Sequence, residues 1–315
     1  MPPDLPRHQL PNPLLLAPAM YRDMYTHPAT QANLALLRER GAYIVEPEIG
    51  RLASGAIGPG RLPETPVLLG AIQVVLGRTG NLAGRRVVVT AGGTHEPIDP
   101  VRYVGNRSSG KMGYALAEEA RNRGAQVVLI SGPVALETPY GVELRRVETA
   151  VQMRDAVFQA VLDADALVMS AAVADFRPAA PASQKIKKGS DETRGPDDQG
   201  EFPLYLMPNP DILGELANML AGQMGSESLR KRPVRVGFAA ETNDLIVNAQ
   251  SKLVKKHLDL LVANDVSRQD SGFGTETNKV LIFHAQGEME DLPVMPKNEV
   301  AAIIWDRVVS LLGTM

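Results

Sequence analysis

The sequence predicts an α/β chain built on an open, mostly parallel sheet with helices on both faces. Two observations carry this. Short aliphatic runs that read as buried strands alternate with longer segments of helical period. The clearest of those runs, RVVVT at residues 86–90, leads into a glycine-containing loop ahead of a helix, where such sheets present a crevice. With 315 residues, 44% of them hydrophobic and 22% charged, the chain has the length for two domains and an ordinary globular composition.

Taken in order, residues 1–12 are rich in proline and polar groups and read as frayed. LLLA at 14–17 is a short buried strand. Residues 27–40 form a helix, with Leu34, Leu36 and Leu37 on its apolar side and Gly41 after its end. YIV at 43–45 is a second strand, and glycine and proline crowd residues 50–64, which read as a loop. A second unit starts near Gly84. Its strands are expected at 86–90, 127–131, 166–172, 234–240 and 258–264, and its helices at 110–124, 150–161 and 243–257. Met112, Leu116 and Ala120 mark the apolar face of the first of these helices. Residues 181–203 are polar and read as a mobile loop. No internal repeat is visible.

A formal net charge of -3 gives no bulk attraction to nucleic acid or anionic membrane. The apolar run at 14–17 is far too short to span a bilayer and follows no basic signal region, so a cytoplasmic location without a membrane partner is expected. The absence of cysteine excludes disulfides, thiolate metal sites and a cysteine nucleophile.

GNRSSGKM at 105–112 falls one residue short of the P-loop pattern. Met112 stands where a hydroxyl would hold Mg²⁺, and a thioether is a poor ligand for a hard cation. The preceding strand also ends too far back, at Thr90. What survives is the helix opening: a helix that begins at Ser108, Ser109 and Gly110 turns backbone N–H groups and the positive end of its dipole toward the loop, where an anion would bind. Ser109 serves equally well as a plain N-cap. The Gly-Gly of TAGGT, at the carboxyl end of the first strand, is weak evidence by itself.

Several ordered stretches then agree: AGGTHEPIDPVRYVGNRSSGKMG (91–113), SAAVADFRP (170–178), KIKK (185–188), NPDIL (209–213), GFAAET (237–242) and LVANDVS (261–267). Together they resemble the synthetase half of the bacterial bifunctional phosphopantothenoylcysteine decarboxylase/phosphopantothenate–cysteine ligase family of coenzyme A biosynthesis. LLLAPAM, HPATQANLALLRERG and GRLASGAIGPGRLPE resemble the end of its flavin-dependent decarboxylase half. The resemblance implies a Rossmann-like sheet preceded by a partial flavodoxin-like segment, with residues 1–80 a decarboxylase remnant and 81–315 the synthetase domain. Two positions depart from the family. Tyr21 replaces an asparagine that handles the substrate carboxylate, and Ser54 replaces a catalytic cysteine. Without that thiol the reduction step lacks an acid of suitable strength. Decarboxylase activity is therefore expected to be absent, and FMN is not expected to be retained.

The implied reaction joins 4′-phosphopantothenate to L-cysteine with CTP, through an acyl-cytidylate. A carboxylate approaching a polyphosphate is anion on anion, so cations must offset the repulsion. Mg²⁺ is the expected ion, its protein ligands unassigned. By the motif match, Lys185 is needed to form the acyl-cytidylate, closing over the phosphates from the polar loop; otherwise KIKK is a solvated cluster. Asn106 serves the second step as an amide donor to the acyl carbonyl; a turn asparagine would look the same. Nucleotide positions are Ser108, Ser109, Gly110, Met169, Ser170, Ala171, Asp175, Lys185, Pro210, Asp211, Ile212, Leu213, Phe238, Lys252 and Lys256. Asp175 suits cytosine, ribose or Mg²⁺, or merely a turn. Asp211 can also be an N-cap, Phe238 core, and the lysine pair a solvated helix face. Ala171 and Ala172 allow close packing of the acyl substrate, and Arg102 and Arg107 could hold its phosphate. The choice of CTP over ATP rests on the resemblance, as does a homodimer through the synthetase part. A nicotinamide-dependent oxidoreductase is disfavoured, because G-x-G-x-x-G does not follow the first strand and the second ends in Ser131-Gly132-Pro133 without an acid. A non-catalytic flavin-binding or scaffold protein of the same family is the alternative.

Overall fold

A computed structural model of the chain describes residues 13–53, 55–187, 203–223, 232–241, 245–265 and 274–314. The chain divides into two compact units: Met1–Ala83 with Arg121–Gly124 and Pro139–Gly141, and the remainder.

In the first unit, Leu15–Leu16 and Tyr43–Ile44 pair in parallel across the helix Pro28–Glu39. His27 caps that helix through Nδ1, which accepts from Ala29 N, and Pro28 at its start gives up an N–H that would have no intrahelical partner. Residues 48–61, expected to lie mostly in a loop, instead carry an antiparallel ribbon, Glu48–Arg51 with Ile57–Arg61. Its glycines pack closely rather than merely turning the chain: Gly60 accepts from Met20 N at 3.0 Å, and no side chain fits there. The helix Thr65–Gly77 had no sequence expectation, because it is apolar almost all round and shows no 3.6-residue alternation. Within this unit the buried Arg121 guanidinium donates to Gln73 Oε1 at 2.9 Å and to the Tyr140 carbonyl at 2.6 Å.

In the second unit, the described residues place eight strands in one sheet: β1 Arg86–Ala91, β2 Gln126–Ser131, β3 Glu143–Arg146, β4 Ala166–Met169, β5 Val234–Glu241, β6 Leu260–Asp265, β7 Val280–His284 and β8 Met289–Asp291. Their spatial order is 3-2-1-4-5-6-7-8. The first six run parallel; β7 pairs antiparallel with β6 and β8 antiparallel with β7, so β7 alone runs against the others. The helices are α1 Lys111–Asn122, α2 Ala150–Val161, α3 Ile212–Gln223, α4 Leu245–Lys255 and α5 Lys297–Thr314.

Both faces of the sheet are covered, which is why β1 and β2 read as continuous aliphatic runs. On one face Val88, Val128, Ile130 and Leu167 meet Met153 and Val157 of α2 and Leu216 and Leu220 of α3. Val87 and Val89, on the other pleat, are fully buried, and α1 lies on that side with Gly113 against Ala91. The buried Trp305 of α5 donates from Nε1 to Leu116 O of α1 at 2.8 Å, so its large apolar surface is sequestered without an orphaned N–H. A capping box of Thr149 and Gln152 starts α2, reinforced by buried Glu96, which accepts from Ala150 N at 2.9 Å. The chain from 170 onward leaves β4 earlier than expected. Beyond Met169 only the isolated bridge Gly93–Ala172 continues the pairing with β1, so the crevice opens there. Among the described residues no helix is long and apolar enough to cross a membrane.

Candidate functional site: a cationic cleft at the sheet switch point

From β1 the chain moves to β2 on one side of the sheet, and from β4 it moves to β5 on the other. A ligand crevice forms at such a switch point, outside the carboxyl ends of the strands. A cleft of about 700 Å³ occupies that place.

Its central wall, residues 169–175, is stitched to Thr90, Gly92 and Thr94, at and just past the end of β1. Thr90 O accepts from Ser170 Oγ at 2.6 Å, Thr90 Oγ1 from Ala171 N at 3.1 Å, Gly92 O from Ala172 N at 2.8 Å and Thr94 Oγ1 from Ala174 N at 3.0 Å. The two threonines of TAGGT therefore supply acceptors on a wall that has left the sheet ladder. A second wall is the opening of α1, whose first turn packs against Ser170. Gly110 has φ +77°, a left-handed conformation natural to glycine, and this swings Ser108–Gly110 over the crevice. Ser108 Oγ accepts from Gly110 N at 3.4 Å, a long bond. A third wall, residues 209–213, is held by Asn209, whose Nδ2 donates to Ala174 O at 2.8 Å and whose backbone N donates to Asp175 O at 2.8 Å. Asp211 caps α3 through Gly214 N at 3.1 Å and also pairs with Lys256, so capping and a place in the cleft coexist.

Sixteen of the expected residues line this one cleft: Asn106, Ser108, Ser109, Gly110, Met169, Ser170, Ala171, Ala172, Asp175, Pro210, Asp211, Ile212, Leu213, Phe238, Lys252 and Lys256. Arg102, Arg107 and Lys185 are not part of the lining. Arg102 is bound to Asp99 and to Ile186 O, and Lys185 is exposed. Asn106 donates both amide hydrogens to backbone carbonyls, Ala172 O at 3.1 Å and Val173 O at 3.2 Å. Both partners are acceptors, so the orientation of the amide is fixed by the contacts. Of the loop expected at 181–203, residues 188–202 lie outside the described residues. In the first unit Tyr21 is exposed ahead of the short helix Arg22–Tyr25, and Ser54 lies outside the described residues.

Sequence reading did not name several lining residues, among them Lys111, Met112, Asn264, Asn278 and Lys297. Lys297 is almost fully buried, and its ammonium donates to Thr277 O at 3.0 Å and to Thr275. Burial, then the neighbouring Lys111, pulls its pKa down to about 8, against a smaller opposing pull from Glu276. It is still mostly charged at neutral pH. The cleft is thus lined by four lysines (111, 252, 256 and 297) against two aspartates (175 and 211), an excess of two positive charges in a chain whose net charge is -3. Such a patch concentrates anions. Among the described residues no group of three or more His, Cys, Asp or Glu side chains could cage a metal ion.

Comparison with known proteins agrees with this fold. Residues 82–312 match the DNA/pantothenate metabolism flavoprotein C-terminal domain, and residues 8–77 match the Flavoprotein family. The chain is 43% identical over 301 residues to the coenzyme A biosynthesis bifunctional protein CoaBC of Vibrio vulnificus (strain CMCP6), covering 96% of this chain and 71% of that protein. It is 44% identical over 310 residues to the CoaBC protein of Mycobacterium bovis, with the same shares covered. Among solved structures, the C-terminal domain of a CoaBC protein aligns with TM-score 0.59 at 36% identity, covering 75% of this chain and all of that one. A Cab2 H337A variant in complex with phosphopantothenate-cysteine shares the fold, with TM-score 0.55 at 18% identity over 79% of this chain and 92% of that one. By sequence match along nearly its whole length, the chain belongs to the CoaBC family of coenzyme A biosynthesis proteins.

Proposed function

We propose that the second unit ligates 4′-phosphopantothenate to L-cysteine at the expense of CTP. The observation that carries this reading is the cationic cleft at the switch point, with the amides of an opening helix on one side and four lysines among its lining residues. In the first step a carboxylate oxygen of phosphopantothenate attacks the α-phosphorus of CTP. The new C–O–P linkage forms, the bond to the β-phosphate breaks, and pyrophosphate leaves. In the second step the cysteine amine attacks the acyl carbon; the C–N bond forms, CMP departs, and the amine gives its proton to solvent. Both steps concentrate negative charge, which Lys252, Lys256 and the Ser108–Gly110 amides are placed to offset. Lys185 is assigned to the first step. Asn106 is assigned to the second, exchanging one of its carbonyl partners for the acyl oxygen as charge builds there.

Mg²⁺ would arrive on the triphosphate. Asp211 is engaged by Lys256 and Gly214, which leaves Asp175 as the cleft carboxylate for an ion held mainly by phosphate and water. Arg102 keeps its Nη1 group, on a half-exposed side chain, for the phosphate of phosphopantothenate, and Arg107 is assigned with it. A homodimer through this unit is supported by a cluster of exposed apolar residues on the ribbon Phe176–Pro178 with Leu206–Pro208: Phe176, Tyr205, Leu206 and Met207. The first unit is assigned no decarboxylase activity and no FMN, on the strength of Tyr21 and the absence of any thiol in the chain.

The test is step-resolved turnover with CTP, phosphopantothenate and cysteine. Lys185→Gln should block pyrophosphate release, whereas Asn106→Asp should allow it and accumulate acyl-cytidylate. Loss of one donor of this kind costs on the order of 10²-fold. Equal loss of both steps in both variants contradicts the assignments, and an absorbance spectrum of purified protein showing bound flavin contradicts the reading of the first unit.

A further inference from the structure

Asp99 lies away from the cleft lining, yet its carboxylate accepts five hydrogen bonds. It sits in the turn that closes the ribbon His95–Pro97 with Tyr103–Gly105. Its carboxylate is wholly buried and accepts from Val101 N at 2.8 Å, Arg102 N at 2.8 Å, Arg102 Nε at 3.0 Å, Arg102 Nη2 and Ile186 N at 3.1 Å. The Arg102 guanidinium and these backbone donors hold the carboxyl far below the usual carboxylate range, so it is charged at any working pH.

One of these contacts, with one more from Arg102, holds a distant residue on both sides of its Cα. Ile186 N–H donates to Asp99 Oδ2, and Ile186 C=O accepts from Arg102 Nη2 at 2.7 Å. Four residues earlier, Ala182 N donates to Ile98 O at 2.9 Å. The Ile186 side chain is itself buried. Residue 186 is therefore held through its donor, its acceptor and its side chain, while Lys185 beside it is exposed. Four of the Asp99 contacts close its own turn; the fifth, from Ile186 N–H, reaches a polar stretch 87 positions along the chain. A surface turn needs no such anchor, whereas a lysine that must meet a transferring phosphate does. The other strand of the same ribbon ends at Gly105, next to Asn106 in the cleft, and the three-residue ribbon spans roughly 10 Å.

We propose that Asp99, with Arg102 as its partner, is the positioning residue for Lys185: it clamps the Ile186 peptide and so sets where the lysine stands relative to the phosphates. This rests on the reading of Lys185 as the first-step lysine. Asp99 touches no substrate and acts only through its neighbour.

The test is a double-mutant cycle on the full chain, read by pyrophosphate release for the first step and by consumption of preformed acyl-cytidylate by cysteine for the second. Asp99→Asn keeps the size of the side chain but turns one acceptor into a donor facing Ile186 N–H. It should slow the first step by about 10- to 10²-fold and leave the second within about twofold, whereas general loosening would slow both. In a Lys185→Gln background it should add nothing to the first-step loss. If the two losses multiply, or if Asp99→Asn spares the first step while Lys185→Gln does not, the clamp is refuted and the ligase reading stands. If Lys185→Gln runs the first step at the parent rate, the lysine assignment fails and takes the clamp with it. Amide exchange on the unmodified protein needs no variant to fold. The Ile186 amide should exchange at least about 10²-fold slower than in an unstructured peptide, and free exchange there would overturn the proposal.

Discussion

Gly113→Ala tests how the cleft is built. Gly113 lies in the first turn of α1, immediately behind the Ser108–Gly110 opening. A Cβ at this position would stand 2.5 Å from Ala91 Cβ, 2.7 Å from Ser170 Oγ and 2.8 Å from Thr90 O. Two of the three belong to backbone or to a Cβ on the sheet and cannot rotate away. The start of α1 must therefore retreat from the β1/β4 junction by roughly 0.5–1 Å to regain ordinary contact distances. Overpacking of this kind costs about 1–3 kcal/mol, and alanine returns up to about 1 kcal/mol of helix propensity. The net loss is then about 0–2 kcal/mol, a fall of a few degrees in Tm for a domain of this size. The functional effect should be disproportionate. The amides at the helix opening and the Ser170–Ala171 wall would separate by the same fraction of an ångström, and misplacement near 1 Å can cost about 10²-fold in rate. Pyrophosphate release with saturating phosphopantothenate should fall by about 10- to 10²-fold, with calorimetric titration showing weakened CTP binding. Gly222→Ala on α3 is the control: its Cβ meets nothing within 4 Å, so stability should hold or rise slightly and turnover should be unchanged. A Gly113→Ala protein that shows the expected Tm shift but binds and turns over CTP like the parent would refute the seating of α1 as what forms the anion site.

Three further outcomes follow from the contacts. Thr90→Val keeps the shape but deprives Ala171 N–H of its acceptor, which should cost about 1–3 kcal/mol in urea denaturation and raise the KM for CTP. Lys297 carries its charge below pH 8 and loses it as pH rises through about 8, so CTP affinity should weaken across that range; Lys297→Met should remove that limb of the profile. In the unfolded chain the same lysine keeps its proton to about 10.5, so its contribution to stability rises with pH between 8 and 10.5, and the methionine variant should lack that slope. Glu290 is held down to about 2, first by Arg307 and then by His284, against the opposing effect of burial. Its stabilising contribution is therefore full above the ordinary carboxylate range and lost as pH falls from about 4.5 to 2. Arg307→Met should shift acid unfolding, followed by circular dichroism, to higher pH.

What was legible in the sequence follows from burial and motif length. RVVVT and VVLIS stood out because strands covered on both faces have no polar alternation to confuse them. β3, with its polar sequence ELRR, and the short β8 carry no such signature. The helix Thr65–Gly77 escaped because it is apolar on nearly all sides, and the 48–61 ribbon because glycine and proline argue for turns whether or not strands pair around them. In the site, residues from the stretches at 91–113, 170–178, 209–213, 237–242 and 261–267 line one cleft, whereas KIKK at 185–188 does not contribute to the lining. Lys297 lines the cleft too but was not legible, because it comes from the start of the last helix with no motif around it. Nor does a string of letters show that both hydrogens of the Asn106 amide are already committed, or that Asp99 reaches 87 positions along the chain to hold Ile186.

The proposed ligase stands or falls with activation of a carboxylate by CTP in this cleft. The most direct measurement is rapid-quench detection of pyrophosphate and acyl-cytidylate from CTP, Mg²⁺ and 4′-phosphopantothenate with cysteine withheld. About one equivalent of each per site should form, together and only when both substrates are present, and the cytidylate should discharge on addition of cysteine. Pyrophosphate release that ignores phosphopantothenate, or no release at all from correctly folded protein, would contradict the ligase reading.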